Sequence, residues 1–438
     1  MLPLLLLLAC RSDPEGKPSD APSGQADEPA RQDILHTALR LDLAALEGEA
    51  TLTVVPRTGA QEVVFDVGDL VIAEVQLNGE AVDFEVREGH LHLPTTQAEQ
   101  EVSVLYNFRP HEDWGGWMPS RGLTFVWPTF CGNLFPCDPE PADGTTFSLE
   151  VTGTDSDQVA VYPTDIPEDA PSYMVAVAVG EYTETVLGTT TAGTELSLWS
   201  LPGEEEDGLS GTQNLVAAFD YFEQTYGPYA YGKKAGSVSA DWDDIGGMEH
   251  HPYWHIASFS LRSEEVHAHE AAHGWFGDAV RVECWEDFVL SEGTTTYISA
   301  HALQAVDGPN VFHTYVESLN DICATGSRKN TIALPDTCGE IELLTDPLWS
   351  MVPYMKGACF YEDVADLIGP ALLDQILAEF YQANMGEAAT MREMIELIQA
   401  RAEPDQGPLI DQLVIDWLTN LECPADYADR CGLQESGG

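Results

Sequence analysis

His269, Glu270 and His273 form an H-E-x-x-H pentad, and Glu292 follows after a gap of eighteen residues. No other feature narrows the fold so much, because the pentad is chemically useful only on a helix. There, positions i and i+4 share a face, with Cβ atoms about 5–6 Å apart. Two imidazoles at that spacing can grip one Zn²⁺ through bonds of roughly 2.0–2.1 Å. The flanks favour a helix: Glu264-Glu265-Val266 leads in, and Ala271, Ala272, Trp275 and Phe276 supply an apolar side. A catalytic zinc takes three protein ligands and keeps one position open. Glu292 is the candidate third ligand, on a second apolar, helix-like segment from Trp285 to Gly293. Glu270 adjoins the first ligand without fully sharing its face, which suits a base acting on a water at the metal. A chance pattern on a structural helix would not require the second segment or the two motifs that follow.

Gly246-Gly247-Met248-Glu249-His250 lies about twenty residues ahead of the pentad. Paired glycines let backbone approach a ligand closely, and Glu249 can offer a carboxylate to a cation. By itself this would read as a Gly-rich turn with a solvated acid. Beside a peptide-cleaving metal it gains meaning, because a free α-amino group is the cation every peptide carries at its start. Pro353-Tyr354-Met355-Lys356-Gly357 is the second motif. Proline is favoured where a helix opens, which places Tyr354 near a helix N-terminus. A phenol O–H close to zinc could stabilise the oxyanion formed when water adds to a carbonyl. The competing reading is a half-buried structural tyrosine.

Together these residues resemble the zinc aminopeptidase family that includes aminopeptidase N and leukotriene hydrolase. The similarity runs through His269 to Gly277, the eighteen-residue gap and Leu290-Ser291-Glu292-Gly293. It extends to the Gly246 motif, to Tyr354-Met355-Lys356-Gly357 and to Phe135-Pro136-Cys137-Asp138. The resemblance implies an α+β, multidomain chain: an N-terminal antiparallel β-sandwich-like domain, then a thermolysin-like, mostly helical zinc peptidase domain. It implies one Zn²⁺ per chain on His269, His273 and Glu292, with Glu270 as general base. It also implies that Glu249 holds the substrate amine, with Gly246, Gly247, Met248 and His250 around it, and that Tyr354 stabilises the transition state. This chain departs from the family pattern at His250, where Asn is usual, at Gly274 (usually Gln) and at Asp278 (usually Asn). The implied activity is removal of N-terminal residues from peptides. The alternatives are glycyl-aminopeptidase-like, endopeptidase or epoxide hydrolase activity on the same scaffold, or a non-catalytic surface binding protein.

Across 438 residues, 74 acidic side chains face 18 basic ones, a formal charge of -56. Such a surface repels phosphate backbones and excludes nucleic acid as a partner. Through steering it hints at Arg or Lys at the cleaved position, although net charge is a weak guide to a pocket. Residues 1–10 end in Leu7-Leu8-Ala9-Cys10, which resembles a bacterial lipoprotein signal with Cys10 lipidated, although a basic n-region is missing. The expectation is an exported protein anchored to a membrane by lipid, facing periplasm or exterior.

Residues 11–33 are poor in large apolar side chains and read as a disordered acidic tether. From residue 34 to 190 short β-branched runs alternate with turn formers. Examples are Thr51–Val55, Glu62–Val67, Val102–Tyr106, Phe147–Val151 and Tyr173–Ala178, with Asn78-Gly79 as a turn. From 191 to 438 the pattern becomes mixed and then helical, with a short helical C-terminal part. Export would make the eight cysteines after Cys10 readable as disulfides. Proximity suggests Cys131–Cys137, Cys323–Cys338 and Cys423–Cys431, leaving Cys284 and Cys359 to pair with each other or stay as buried thiols.

Overall fold

The computed structural model describes residues 32–95, 98–112, 114–311, 318–319, 322–323, 332–339, 341, 345–346, 348–427 and 430–431. Cys10, the expected signal and nearly all of the expected tether lie outside them. The tether was expected to reach residue 33, but the first strand already begins at Gln32.

Alternation builds the N-terminal half. Glu47–Pro56 buries every second residue, so Ala50, Leu52 and Val54 face inward. It pairs antiparallel with Gln32–Asp42 on one side and Gln100–Asn107 on the other, within a seven-stranded sheet. Gly144–Thr152 joins this sheet parallel to Gln32–Asp42, so the sheet is mixed rather than wholly antiparallel. A three-stranded sheet (Glu62–Asp66, His90–Pro94, Glu85–Arg87) adds Val63, Phe65, Leu91 and Leu93 to the same core. The Gln32 amide links the two sheets, donating to the Val64 carbonyl (2.5 Å) and accepting from the Val64 N–H (2.9 Å). Asn78 and Gly79 both take positive φ (53° and 81°), as a tight hairpin turn requires. Tyr173–Ala178, expected as strand, begins instead with a 3₁₀ turn at Ser172–Met174, and pairing starts only at Ala178. The run is buried throughout, without the alternation that marks a one-faced strand.

The five-stranded sheet that carries the site runs in the order Thr183–Thr189, Glu195–Ser200, Lys234–Ala240, Tyr253–Ala257, Gly247–Met248. The domain boundary expected at residue 190 therefore falls inside a hairpin whose strands pair from Thr183 with Ser200 to Thr189 with Glu195. Helices follow: Leu215–Thr225, Glu264–Ala272, Phe288–Ala305, Met351–Ile368, Pro370–Asn384 and Met391–Arg401. None among the described residues is long and apolar enough to cross a membrane. Arg281 clamps the two halves: Nη1 donates to the carbonyls of Asp169 (3.2 Å) and Gly386 (2.9 Å), and Nη2 to that of Ala142 (3.3 Å).

Among the described residues four disulfides form, only one of them as expected. Cys131 bonds Cys137. The others are Cys284–Cys338, Cys323–Cys423 and Cys359–Cys431, closing separations of 54, 100 and 72 residues. The expected Cys323–Cys338 and Cys423–Cys431 pairs are thus wrong, and neither Cys284 nor Cys359 is free. The last two bridges fasten the C-terminal segment to the body. Lys356 helps, with Nζ donating to the carbonyls of Asn420 (2.9 Å) and Leu421 (3.1 Å).

Candidate metal centre and substrate cleft

Glu264–Ala272 forms a helix because Ser263 caps it, its hydroxyl accepting from the Val266 N–H. Glu264 and Glu265 occupy the first turn, where the helix dipole favours negative charge. The next helix, Phe288–Ala305, is buried on every side from Phe288 to Ala300 and presents Glu292 to the first. Ser350 caps the third, Met351–Ile368, and places Tyr354 in its first turn. Pro353 is tolerated there because its missing N–H would have had no partner.

These elements bring the three expected ligands together. His269 Nε2 lies 3.0 Å from Glu292 Oε2 and 3.2 Å from His273 Nε2, and His273 Nε2 lies 3.4 Å from Glu292 Oε2. Bonds of the usual length at tetrahedral angles separate donor atoms by about 3.3 Å. The donor triangle therefore fits Zn²⁺ both in size and in its two-imidazole, one-carboxylate chemistry. Burial raises the Glu292 carboxyl, but His273 and His269 outweigh it and hold it down at about 2, as an anionic donor. His273 Nδ1 donates to the Phe276 carbonyl (3.0 Å), which leaves Nε2 as the ligand atom. The Thr295 hydroxyl donates to the same carbonyl (3.0 Å). Gly277 completes this corner at φ 112°; a Cβ there would meet Ser291 Oγ at 2.5 Å and His273 Nδ1 at 2.6 Å.

Glu249, Glu270 and His273 form a second convergent group, with ligand atoms within 4.8 Å of one another. Glu270 runs along the backbone of Gly247, where a Cβ would meet Oε1 at 2.5 Å. Only glycine lets the sheet edge lie this close to the candidate base. Burial pushes Glu270 well above the carboxylate range, and His273 offsets part of that. Burial likewise lifts Glu249 to about 7, again opposed by His273. Burial also holds the Tyr354 phenol well above its usual value, so the hydroxyl stays a donor. Its ring stacks on His269 at 5.7 Å.

All of these line one cavity of about 360 Å³, together with Gly246, Gly247 and Met248. His250 does not. It turns into the core, 1% exposed, with Nδ1 3.0 Å from His255 Nδ1 and its ring edge-on to Phe125. Its expected place around the substrate is corrected accordingly. Sequence reasoning also missed His251. Its Nε2–H donates to the Glu270 carbonyl (2.8 Å), while the Tyr229 hydroxyl donates to Nδ1 (2.7 Å). This satisfies a carbonyl left open near the helix end. A Cβ at Gly274 would lie 2.7 Å from the Tyr229 ring and 2.9 Å from His251, so glycine at 274 belongs with that pair. Tyr173, whose hydroxyl reaches Asp278 (3.4 Å), was missed too, as were the aromatic walls contributed from residues 114–130. Thr295 was legible in principle, being three residues after Glu292 on the same helical face.

Residues 213–417 match the family model described as the peptidase family M1 domain. The chain carries a peptidase family M1 domain. Leucine aminopeptidase 2 of Emericella nidulans is 25% identical over 290 residues, covering 58% of this chain and 45% of that relative. Leukotriene A-4 hydrolase of Xenopus laevis is 23% identical over 449 residues, covering 89% of this chain and 71% of the relative. The chain spans less than half the length of the Emericella relative. Among solved structures, the M1 zinc metallopeptidase of Deinococcus radiodurans superposes with a TM-score of 0.72 at 19% identity, over 90% of this chain and 95% of the other. Legionella pneumophila aminopeptidase A gives 0.77 at 17% identity, over 90% and 50%. The expected fold is thus the observed one: a β-rich N-terminal half leading into the M1 domain. The two-histidine, one-glutamate donor set is of the kind that suits zinc.

Proposed function

We propose that this protein is a zinc aminopeptidase that removes single residues from the free N-terminus of peptides. The observation that carries the reading is the placement of Glu249 beside Glu270 and His273 in the lining of the cleft. His269, His273 and Glu292 would hold the metal, which when bound supplies a Lewis acid that activates water and polarises the scissile carbonyl. Glu249 binds the substrate ammonium. A cation beside it favours the ionised form, so a carboxyl held near 7 by burial becomes fully charged as substrate arrives. The amine and the metal thereby fix which peptide bond is cut. Glu270 removes the proton of the attacking water and returns it to the leaving amine; its raised affinity for protons suits both steps. Tyr354 O–H donates to the oxygen that gains charge. Gly247–Met248 is the edge strand of its sheet, which leaves backbone groups on its outer side available to pair with an extended peptide.

Zinc-loaded protein should cleave a free peptide and leave its N-acetylated form intact. Glu270→Gln should lower kcat on the order of 10²–10⁴-fold, with the zinc content unchanged. Equal cleavage of the blocked peptide would instead establish an endopeptidase. Zinc at one per chain without turnover on any peptide would favour a binding protein.

The Leu7-Leu8-Ala9-Cys10 sequence supports display of this activity outside the cytoplasm, on a membrane tethered through Cys10. Labelling of Cys10 by a fatty-acid analogue in a bacterial host, abolished in Cys10→Ser, would test it.

A further inference from the structure

The cleft is more specific about its substrate than the acidic surface is. Two groups of aromatic rings line it. Trp114 and Phe125, with ring centroids 4.4 Å apart, form one, and Phe125 packs on His250, the neighbour of Glu249. Trp127, Trp349 and Phe288 form the other, with centroids 5.2 Å and 4.6 Å apart along the row; Phe288 reaches Tyr354 at 6.0 Å. If the amine sits at Glu249 and the scissile carbonyl beside Tyr354, the first side chain lies in this cavity, whose lining includes five aromatic rings from these two groups.

Charge makes the same selection. Among the described residues lining the cavity there is no lysine or arginine. Its carboxylates are Glu249, Glu270 and Glu292, already committed to the amine, the proton and the metal, and Asp244, which is exposed to solvent. An acidic first side chain would meet only like charge. A basic one would lose hydration among the rings and find a single screened carboxylate. An aromatic one buries a large apolar area and gains edge-to-face contacts. Resting on the aminopeptidase reading, we infer that the cleft selects peptides whose first residue is aromatic, in preference to small, acidic or basic ones.

The test uses zinc-loaded full-length protein and peptides X-Ala-Ala with X = Phe, Ala, Arg or Asp. The expected result is kcat/KM for Phe above each of the others by on the order of 10–100-fold, the effect of burying a ring rather than a methyl. Trp114→Ala should compress the Phe-to-Ala ratio several-fold. In parallel, calorimetry on Glu270→Gln would compare L-phenylalaninamide with L-argininamide and L-alaninamide. Tighter binding of the phenylalanine amide supports the inference even if no peptide is turned over, an outcome that would overturn the aminopeptidase reading alone. Turnover with Arg or Ala preferred, or equal binding of the three amides, would overturn the inference and leave the aminopeptidase reading standing.

Discussion

The seven-stranded sheet and the helix Phe288–Ala305 both bury much of their length, but the helix buries many more polar side chains. In the sheet the inward positions of two neighbouring strands are mostly apolar (Ala50, Leu52, Val54, Val102 and Val104), with Gln100 a buried polar exception at one strand's start. In the helix, Ser291, Glu292, Thr294, Thr295, Thr296 and Ser299 are buried alongside Val289 and Ile298. Apolar burial stabilises by removing area from water. Polar burial costs free energy unless each group finds a partner. The sheet is thus a source of stability, and the helix consumes some of it to hold a reactive group still. Substitutions in the two regions should separate stability from chemistry.

The largest expected stability effect lies in the sheet. Leu52 is fully buried opposite Val102 and Thr37. Leu52→Ala should destabilise by about 2–5 kcal/mol, read as a shifted midpoint in chemical denaturation. Activity and zinc content of the protein that remains folded should match wild type. A Leu52→Ala protein of normal stability but lower kcat would collapse the contrast between the regions.

The converse experiment belongs to Thr295. Valine keeps its shape but loses the hydroxyl that donates to the Phe276 carbonyl, the acceptor that also orients His273. Thr295→Val should weaken zinc binding about 10–100-fold, the usual effect of losing an outer partner of a ligand, in competition with a chromophoric chelator. The stability cost should be only about 1 kcal/mol. Zinc affinity equal to wild type would show that the Phe276 carbonyl alone orients His273.

What the chain disclosed in advance follows from the range of the forces involved. Strands and helices were legible because burial imposes a period of two or 3.6 on neighbouring residues. The metal triad was legible because two ligands lie four residues apart in one helical motif and the third lies within the motif of the next helix. Three of the four disulfides were not; only the short Cys131–Cys137 pair was. Closure entropy rises slowly with loop length, so a partner 100 residues away competes with one 15 away, and packing decides. His250 looked like a site residue because it adjoins Glu249; a backbone turn after Met248 sends it into the core instead. The walls built by Trp114, Phe125 and Trp127 come from a part of the sequence with no local tie to the pentad. Only the folded contact between the halves brings them to the cleft.

A smaller effect would sharpen the contrast by asking whether every buried charge in the catalytic half serves the metal. Asp287 is 5% exposed and touches no proposed ligand. Its Oδ1 accepts from the Met391 N–H at 3.0 Å. Burial dominates and raises its carboxyl to about 6 from 3.8, despite that hydrogen bond. A folded-state value above the unfolded one means that the folded protein holds the proton more tightly. The associated stability is complete below about pH 4 and is lost as the pH rises through 6. Asp287→Asn keeps the acceptor for Met391 and carries no charge, so it should behave as a permanently protonated Asp287. Its denaturation midpoint should match wild type near pH 4, pull ahead between pH 4 and 6, and stay ahead at pH 8 by about 1–2 kcal/mol. Activity should be unaffected. If Asp287→Asn is instead the less stable protein at pH 8, the carboxylate has charged partners worth more than its burial costs, and the catalytic half buries charge for stability as well as for chemistry.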